Sequence, residues 1–400
     1  MPDADGAGPA RANSVTSLPV NPNIFIASGA QDTEAFQFKI HPTYVMQYNL
    51  NAQQNLGWNT ILTVAYVGSR GVNLFGQGDS NIALPVSLPD GRECFPSPAP
   101  QNVLCPGPRR PKRNPNFGRV RTIYQGFNSW FNALTVGVVK HASQGLTFQG
   151  AYTFSRCIDQ RSGSSGRQEY LYGQARTFDP FNRSLDKGLC DFHAAHNYVL
   201  NALYELPFGP GRRLGSTLTG AAAKIVEGWQ LGGILLLASG IPFTPFVEGD
   251  PDADSTDDNT GRPDLVGNPN AGTCVNGFPV RTQQCWFNDT ALAFPPFGVR
   301  GTLGRNTLIG RGVASLDFSV VKVTRISERL RMEFRAEFFN SLNHTNFVPP
   351  QNHEDGNRVF FDTGIRDLTG PTIQARGAGV DHPGTATTSR EIQFALKFIF

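Results

Sequence analysis

The feature that most constrains the fold of this chain is a two-residue alternation of apolar and polar side chains. In LRMEFRAEFF, residues 330–339, the even-numbered positions are apolar, and the odd-numbered positions 331 to 337 are Arg or Glu. A helix would scatter these charges around its circumference, whereas a β-strand places all of them on one face. The segment is therefore predicted to be a strand with one apolar face and one charged face.

The same period recurs in eight other segments, so we predict an all-β chain with about nine long strands. The other segments are Tyr44–Leu50, Leu62–Tyr66, Leu134–Val138, Leu146–Phe154, Tyr198–Tyr204, Trp229–Leu237, Ala314–Val320 and Ile392–Phe400. Phe36, Phe38 and Ile40 keep the phase of the first segment, so we expect that strand to begin near residue 34. No apolar run approaches the roughly 18 residues that a transmembrane helix needs.

The connections between these strands alternate in length. Those around 56–58, 141–145, 207–227 and 324–328 are short or intermediate, and those at 68–127, 156–195, 239–312 and 341–389 are long. An outer-membrane barrel explains this alternation, because its periplasmic turns are tight and its external loops are long. The low charged fraction of 17% agrees with strands that face lipid. A soluble all-β protein with large insertions is the alternative interpretation.

The six cysteines fall into three successive pairs along the sequence, and each pair lies within one long connection. They are Cys94 and Cys105, Cys157 and Cys190, and Cys274 and Cys285. Fifteen pairings are formally possible, but pairing between neighbours requires no contact between connections. We therefore expect three disulfides inside external loops that pass through an oxidising periplasm. Zinc ligation is the weaker alternative, because the sequence has no CxxC and no matching His/Cys spacing.

Several segments resemble the Oar-like branch of TonB-dependent outer-membrane transporters. They are YNLNAQQNLGWNTILTVAYVGSRGVNLF (48–75), AYTFSRCIDQ (151–160), KGLCDFHAAHNYVLNALYELPFG (187–209), GWQLGGILLLASGIPFT (228–244), GRPDLVGNP (261–269), DFSVVKVTRISERLRMEFRAEFFNSLNHTNFVPP (317–350) and REIQFALKFIF (390–400). The matches are collinear and span residues 34–400. One departure lies near His196, where the family usually has a basic residue and this chain reads Ala-Ala-His-Asn.

The resemblance implies an antiparallel transmembrane β-barrel of about 22 strands, of which this chain supplies the C-terminal part. Residues 34–400 would belong to the barrel and residues 1–33 to an external loop or disordered N-terminal segment. We expect energised uptake or export of a large substrate in the outer membrane, with the TonB complex acting through a region upstream of this chain. A passive porin-like or adhesin-type barrel is the alternative function.

Two groups of strand residues are candidate sites. Phe394, Phe398 and Phe400 form a C-terminal aromatic strand, which in the family is the signal read by the barrel-assembly machinery. The alternation also predicts that Arg331, Glu333, Arg335 and Glu337 face the lumen. There they would contact a plug or substrate, or form a self-contained cross-strand ladder with Asp317 and Lys397, which we favour.

A weak calcium candidate lies in the loop DPDADSTDDN, where Asp250, Asp252 and Asp254 alternate. The glycine expected at the sixth position of a calcium loop is Ser255, so an ordinary solvated loop is favoured and no cofactor is expected. No catalytic signature is present, so we expect no enzyme. The net charge of +3 gives no reason to expect nucleic acid. The basic run 108–115 is expected to contact lipopolysaccharide phosphates or solvent, beside outer-membrane lipid.

Overall fold

The computed structural model describes residues 31–97, 103–143, 145–162, 177–254, 261–347, 358–360 and 387–400. Residues 1–30, which make up most of the predicted N-terminal segment, lie outside this part. The helical elements in it are α1 (Gly220–Val226) and two 3-10 turns, Arg183–Asp186 and Asp289–Ala291. None of its helices combines the length and the apolar character needed to span a membrane.

Strands dominate the described part of the chain. In chain order they are β1 (Gln31–Phe36), β2 (Tyr44–Gly57), β3 (Thr60–Asp79), β4 (Val86–Ser87), β5 (Glu93–Cys94), β6 (Phe117–Ser143), β7 (Leu146–Asp159), β8 (Gly188–Leu189), β9 (His196–Glu205), β10 (Trp229–Ala238), β11 (Pro242–Phe243), β12 (Phe246–Val247), β13 (Asp264–Leu265), β14 (Leu292–Ala293), β15 (Leu308–Ile309), β16 (Val313–Arg325), β17 (Arg331–Phe339), β18 (Arg358–Phe360) and β19 (Glu391–Ile399).

Nine long antiparallel strands form one continuous sheet, in the order β19-β17-β16-β10-β9-β7-β6-β3-β2. Each long strand pairs with the long strand that follows it in sequence, as short turns alternating with long connections require. The prediction of about nine antiparallel strands is confirmed. Among the described strands, β2 and β19 are the two edges of this sheet, so the sheet is open.

The first strand does not extend back to residue 34 as predicted. Residues 31–36 form the separate strand β1, which pairs in parallel with the start of β6. Gln37 then bonds to Ile123 and Gln125 of β6, and β2 begins only at Tyr44, after Pro42. Proline has no backbone N–H to donate to a ladder, which separates the two strands at this point.

The connection after the second predicted strand is shorter than expected, because β3 and β6 extend far into it. β3 runs on to Asp79 and β6 begins at Phe117, and the two remain paired over this extension. The register shifts between Gly71 and Phe75, so the alternation of side chains is interrupted there. That interruption conceals the extension from a two-residue pattern search.

The two faces of the sheet have different side chains, as the alternation predicted. On one face, called here the aromatic face, rings from adjacent strands pair across the sheet, as in Tyr48–Tyr66 and Phe334–Phe394, with ring centroids 6.2 Å apart. These rings lie at the surface, and Phe394 is 67% exposed. The opposite face includes the charged positions of β17. A large exposed apolar face is unusual for a soluble domain and typical of a membrane surface.

The long connections fold into a second region, the loop layer, which we define as the described residues of 80–116, 160–195 and 239–312 together with β18. It buries apolar side chains in two clusters of its own. The larger core contains Phe243, Val247, Trp286, Phe287, Leu292, Leu303, Leu308, Val359 and Phe360. A smaller cluster joins Ala83, Phe95 and Ala253. These connections therefore form an ordered structure at one end of the sheet.

Candidate functional site

Three arginines organise the loop layer, and the first of them is Arg262. Its guanidinium lies 2.6 Å from the carboxylate of Asp186 and donates to the carbonyl of Leu185 at 2.8 Å. Both charged side chains are almost fully buried, at 2% and 3% exposure. Burial raises the pKa of Asp186, and the attraction of Arg262 opposes that shift. The pair joins the connection before β9 to the connection after β10.

The second arginine, Arg300, lies among four acidic residues. Its guanidinium approaches Asp179 at 2.9 Å, Asp254 at 3.4 Å, Glu93 at 3.5 Å and Asp252 at 3.7 Å. One arginine cannot neutralise four carboxylates, and the surplus of acids has a cost in a buried site. Accordingly, burial raises the pKa of Asp252 well above its ordinary value and that of Glu93 to about 7.

The third arginine, Arg305, connects the loop layer to the end of β7. Its guanidinium pairs with Asp159 and lies 3.4 Å from Asp191. The amide of Asn306 completes the contact by donating to Asp191 at 2.6 Å and to the carbonyl of Leu189 at 2.7 Å. Burial is the main cause of the raised pKa of Asp191. Charge pairs of this kind fix the relative positions of segments, because breaking a pair leaves a buried charge without a partner.

The sequence reasoning did not identify these buried arginines as important. A lone Arg in a connection is usually solvated, so nothing in its residue type predicts burial. One local signal was available, because glycine adjoins each arginine in Gly261-Arg262, Arg300-Gly301 and Gly304-Arg305. At Gly301 a Cβ atom would lie only 1.8 Å from the carbonyl oxygen of Arg262. Glycine is therefore required for the close backbone approach that packs these segments together.

The carboxylates of the predicted calcium candidate do lie close together. Oxygen atoms of Asp250, Asp252 and Asp254 are all within 4.8 Å of one another. Two arginines already contact this group, since Arg109 bonds to Asp250 at 3.1 Å and Arg300 approaches the other two. The positive charges of these two arginines balance the negative charges of the carboxylates, as a bound metal ion otherwise would. The geometry thus favours an ion-pair cluster over a calcium site.

All six cysteines are disulfide-bonded in the structure, each with its sequence neighbour. The pairs are Cys94–Cys105, Cys157–Cys190 and Cys274–Cys285. Cys157 lies in β7, so its disulfide connects the sheet to the loop layer rather than lying wholly inside a loop. The other two bonds close short segments of the loop layer, which the chain-entropy model credits with roughly 3 kcal/mol each.

His193 and His196, which are spaced as HxxH before and at the start of β9, lie in different surroundings. His193 is buried, and its Nδ1 accepts a hydrogen bond from the backbone N–H of Cys157 at 3.4 Å. Burial lowers the pKa of His193. His196 instead lies at the start of β9 on the aromatic face, where its Nδ1 is 2.7 Å from the hydroxyl of Tyr152.

The predicted charged face of β17 has one ion pair within the strand. The guanidinium of Arg335 bonds to Glu333 two positions away, and Arg335 remains half exposed. Lys397 is the register partner of Glu333, but Asp317 accepts a hydrogen bond from the N–H of Asn340 at 2.8 Å. The cross-strand ladder that we favoured is thus replaced, among the described residues, by this local pair.

The face opposite the aromatic face carries a concave surface of about 490 Å³ between β6, β7, β9 and β10. Apolar side chains, Val139, Leu203 and Ile234, line it together with Gln149 and Asn201. Leu203 is 42% exposed and Ile234 is 51% exposed. We expected this face to be polar. Ile234 belongs to β10, which is nearly apolar throughout, and Val139 and Leu203 add one apolar side chain each from β6 and β9.

The sequence matches a known protein family over nearly its whole length. A family model described as outer membrane beta barrel domain matches residues 3–393. No curated protein matches the sequence.

Three solved structures are similar to the chain at low identity. The outer membrane transporter YddB from Escherichia coli is 8% identical, with a TM-score of 0.41 over 93% of this chain and 34% of YddB. The FrpB iron transporter from Neisseria meningitidis is 9% identical, with a TM-score of 0.38 over 92% of this chain and 32% of FrpB. The ferric-catecholate import receptor Fiu from Escherichia coli is 9% identical, with a TM-score of 0.35 over 90% of this chain and 28% of Fiu. The chain therefore spans about a third of the length of each.

Proposed function

The chain belongs to the outer membrane beta barrel domain family, and we propose that it is the C-terminal barrel portion of a TonB-dependent transporter of the Oar-like branch. The aromatic face then contacts lipid, and the opposite face lines the lumen. Localisation in the outer membrane follows from the family itself. Uptake or export of a large substrate, the substrate's identity and coupling to the TonB complex belong to the proposal, which includes no catalytic step.

The observation that carries this proposal is the apolar surface on the lumen wall. A passive porin has a water-filled lumen, and its inner wall is polar. Here Val139, Leu203 and Ile234 line a concavity on that wall. Exposed apolar side chains inside a barrel are stabilised when another protein segment covers them. A plug domain in the lumen supplies such a cover, whereas an open pore or a stand-alone adhesin does not.

The loop layer supports the same proposal. Its buried ion pairs and disulfides hold the long connections in a defined arrangement, and selective capture of a large substrate needs ordered external loops. We assign assembly of the barrel to the C-terminal strand, with Phe394, Phe398 and Phe400 read by the barrel-assembly machinery. All three are exposed, and β19 forms an edge of the sheet.

Photo-crosslinking from adjacent positions of β10 tests the proposal. A photoreactive residue replaces Ile234, on the lumen wall, or Leu235, on the lipid face, in the gene product as it occurs in its outer membrane. We expect position 234 to crosslink to an N-terminal segment of the same gene product and position 235 to crosslink to lipid only. If position 234 reaches only water while position 235 reaches lipid, the lumen is open and the porin-like or adhesin function is correct.

A further inference from the structure

A second concavity lies on the lipid face, at the end of the sheet next to the loop layer. Its volume is about 560 Å³, and it lies where β7, β9, β10 and β16 meet the long connections. The side chains that matter for binding are Arg311, His344, His196, Tyr152, Tyr198 and Ser239. None of these residues belongs to the lumen wall or to the buried ion pairs.

The concavity has a positive charge that the described residues do not neutralise. Arg311 stacks over the ring of Phe347 at 5.2 Å and makes no ion pair with a described carboxylate. No acidic side chain is found among the described residues that line the concavity. Arg262, Arg300 and Arg305, by contrast, each contact an acidic side chain, as Arg262 does Asp186. Arg311 is therefore placed to bind an anion from outside the chain.

The polar groups around Arg311 are held in place by the fold. His344 Nδ1 is 3.0 Å from Asn346 Oδ1, and Asn346 is itself anchored by hydrogen bonds to the backbone of Ala314. On the other side, the Tyr152 hydroxyl and the imidazole of His196 share a 2.7 Å hydrogen bond, and the hydroxyl of Ser239 accepts from the backbone N–H of His196. Prearranged donors lower the entropic cost of binding a ligand.

Other cations lie at the same end of the lipid face. Arg70 lies 5.9 Å from the ring of Trp130, and Lys187 lies 5.2 Å from it. Tyr48 and Tyr66 both donate hydrogen bonds to Asn132 nearby. Aromatic rings with amphipathic character mark the interface between lipid and water. The concavity therefore lies at the level of the headgroups in the outer leaflet.

We propose that this concavity binds a phosphate group of lipopolysaccharide, with Arg311 as the main charged contact and His196 and Ser239 as hydrogen-bonding partners. Guanidinium groups match the geometry of phosphate oxygens. A lipid source fits better than free phosphate because Leu237, which is exposed on the same face, lines the site and would contact acyl chains. The phosphorylated glycolipid of the outer leaflet supplies both chemical groups.

Binding of purified lipid A to the full chain in detergent, measured by native mass spectrometry, tests the proposal. The variants are R311A and S239A, and R325A is the matched control because it removes an exposed arginine from the opposite end of β16. We expect R311A to weaken binding about tenfold and R325A to leave it unchanged. Phosphatidylglycerol, dephosphorylated lipid A and inorganic phosphate are the comparison ligands.

Specific outcomes would overturn the proposal. Equal weakening by R311A and R325A would show that only net charge matters, and equal binding of dephosphorylated lipid A would exclude phosphate recognition. Full competition by inorganic phosphate, or equal binding of phosphatidylglycerol, would exclude lipopolysaccharide as the specific ligand. Should R311A fold poorly, S239A and the charge-conserving R311K provide the same test, with R311K expected to retain more binding than R311A. Crosslinking at position 234 is independent of this site, so either proposal can fail without the other.

Discussion

The sheet exposes large hydrophobic residues at its surface, whereas the loop layer buries such residues in a core. In the sheet, large apolar side chains such as Phe394 and Leu396 lie at the surface. In the loop layer, Phe243, Phe287 and Leu308 are almost completely buried. One chain thus contains two regions adapted to different solvents, since apolar surface is stable against lipid and costly against water.

Charged residues show the opposite contrast, because the loop layer buries them and the sheet leaves them more exposed. The loop layer buries Arg262, Arg300 and Arg305 with acidic partners, while Arg335, which pairs with Glu333 on the sheet, is half exposed. Backbone hydrogen bonds already hold the strands together, so the sheet does not need buried charge pairs. The connections lack such a continuous ladder, and their buried pairs and disulfides specify one arrangement instead. The following predictions test this division, from the largest expected effect to the smallest.

Removing the guanidinium of Arg262 should have the largest effect, and it should be confined to the loop layer. R262A leaves Asp186 buried without its partner, which typically costs about 3–5 kcal/mol. We expect amide hydrogen exchange to accelerate in the loop layer but not in β9 or β10. The matched control is R212A, which breaks the exposed pair with Glu205 and should cost less than about 1 kcal/mol. Equal exchange in the two variants would contradict a structural role for the buried pair.

A charge placed on the lipid face should destabilise the sheet by a smaller amount. Leu200 and Asn201 are adjacent in the middle of β9, with Leu200 on the aromatic face and Asn201 on the lumen face. L200R should cost about 2–4 kcal/mol near the bilayer midplane, and N201R, which does not face lipid, should cost less. Denaturant unfolding in lipid vesicles measures both. If N201R is the more harmful variant, the two faces have been assigned the wrong way round.

The pH dependence of the loop layer should centre on Glu93. Its pKa in the fold is about 7, above the ordinary value of 4.5, because burial outweighs the attraction of Arg300. The folded state therefore binds the proton more tightly than the unfolded state. The resulting stability is fully present below pH 4.5 and is lost as the pH rises through about 7. Because Glu93 is partly solvated, screening keeps the stability lost below the roughly 3–4 kcal/mol to which the full shift corresponds.

Two backbone amides report on this titration. Phe95 donates to Gly298, and Arg300 donates to the carbonyl of Glu93. After correction for intrinsic exchange rates, protection of these amides should fall between pH 5 and about pH 7.5. E93Q should remove this dependence, since the amide does not titrate. A slope that persists in E93Q would assign the proton to another buried acid, such as Asp252.

The sequence predicted the sheet better than the loop layer, for a physical reason. A strand that separates lipid from a lumen must alternate its side chains, so segments such as 330–339 reveal both the strand and its faces. The register shift near Gly71 interrupts the alternation and concealed the extension of β3. In the loop layer, the partners Arg262 and Asp186 lie 76 positions apart without a repeating pattern. Cysteine spacing was the exception, because neighbours within one connection have few alternative partners.

Loss of the Arg335–Glu333 pair should have the smallest effect. Arg335 is about half exposed, and both residues lie on a strand that is already held by two ladders. R335A should therefore change the unfolding free energy by less than about 1 kcal/mol, and the change should shrink further in high salt. Denaturant unfolding in lipid vesicles at low and high salt measures it, with R335K as the variant that keeps the charge. A loss as large as that in R262A would mean that this charged face is buried in the folded protein.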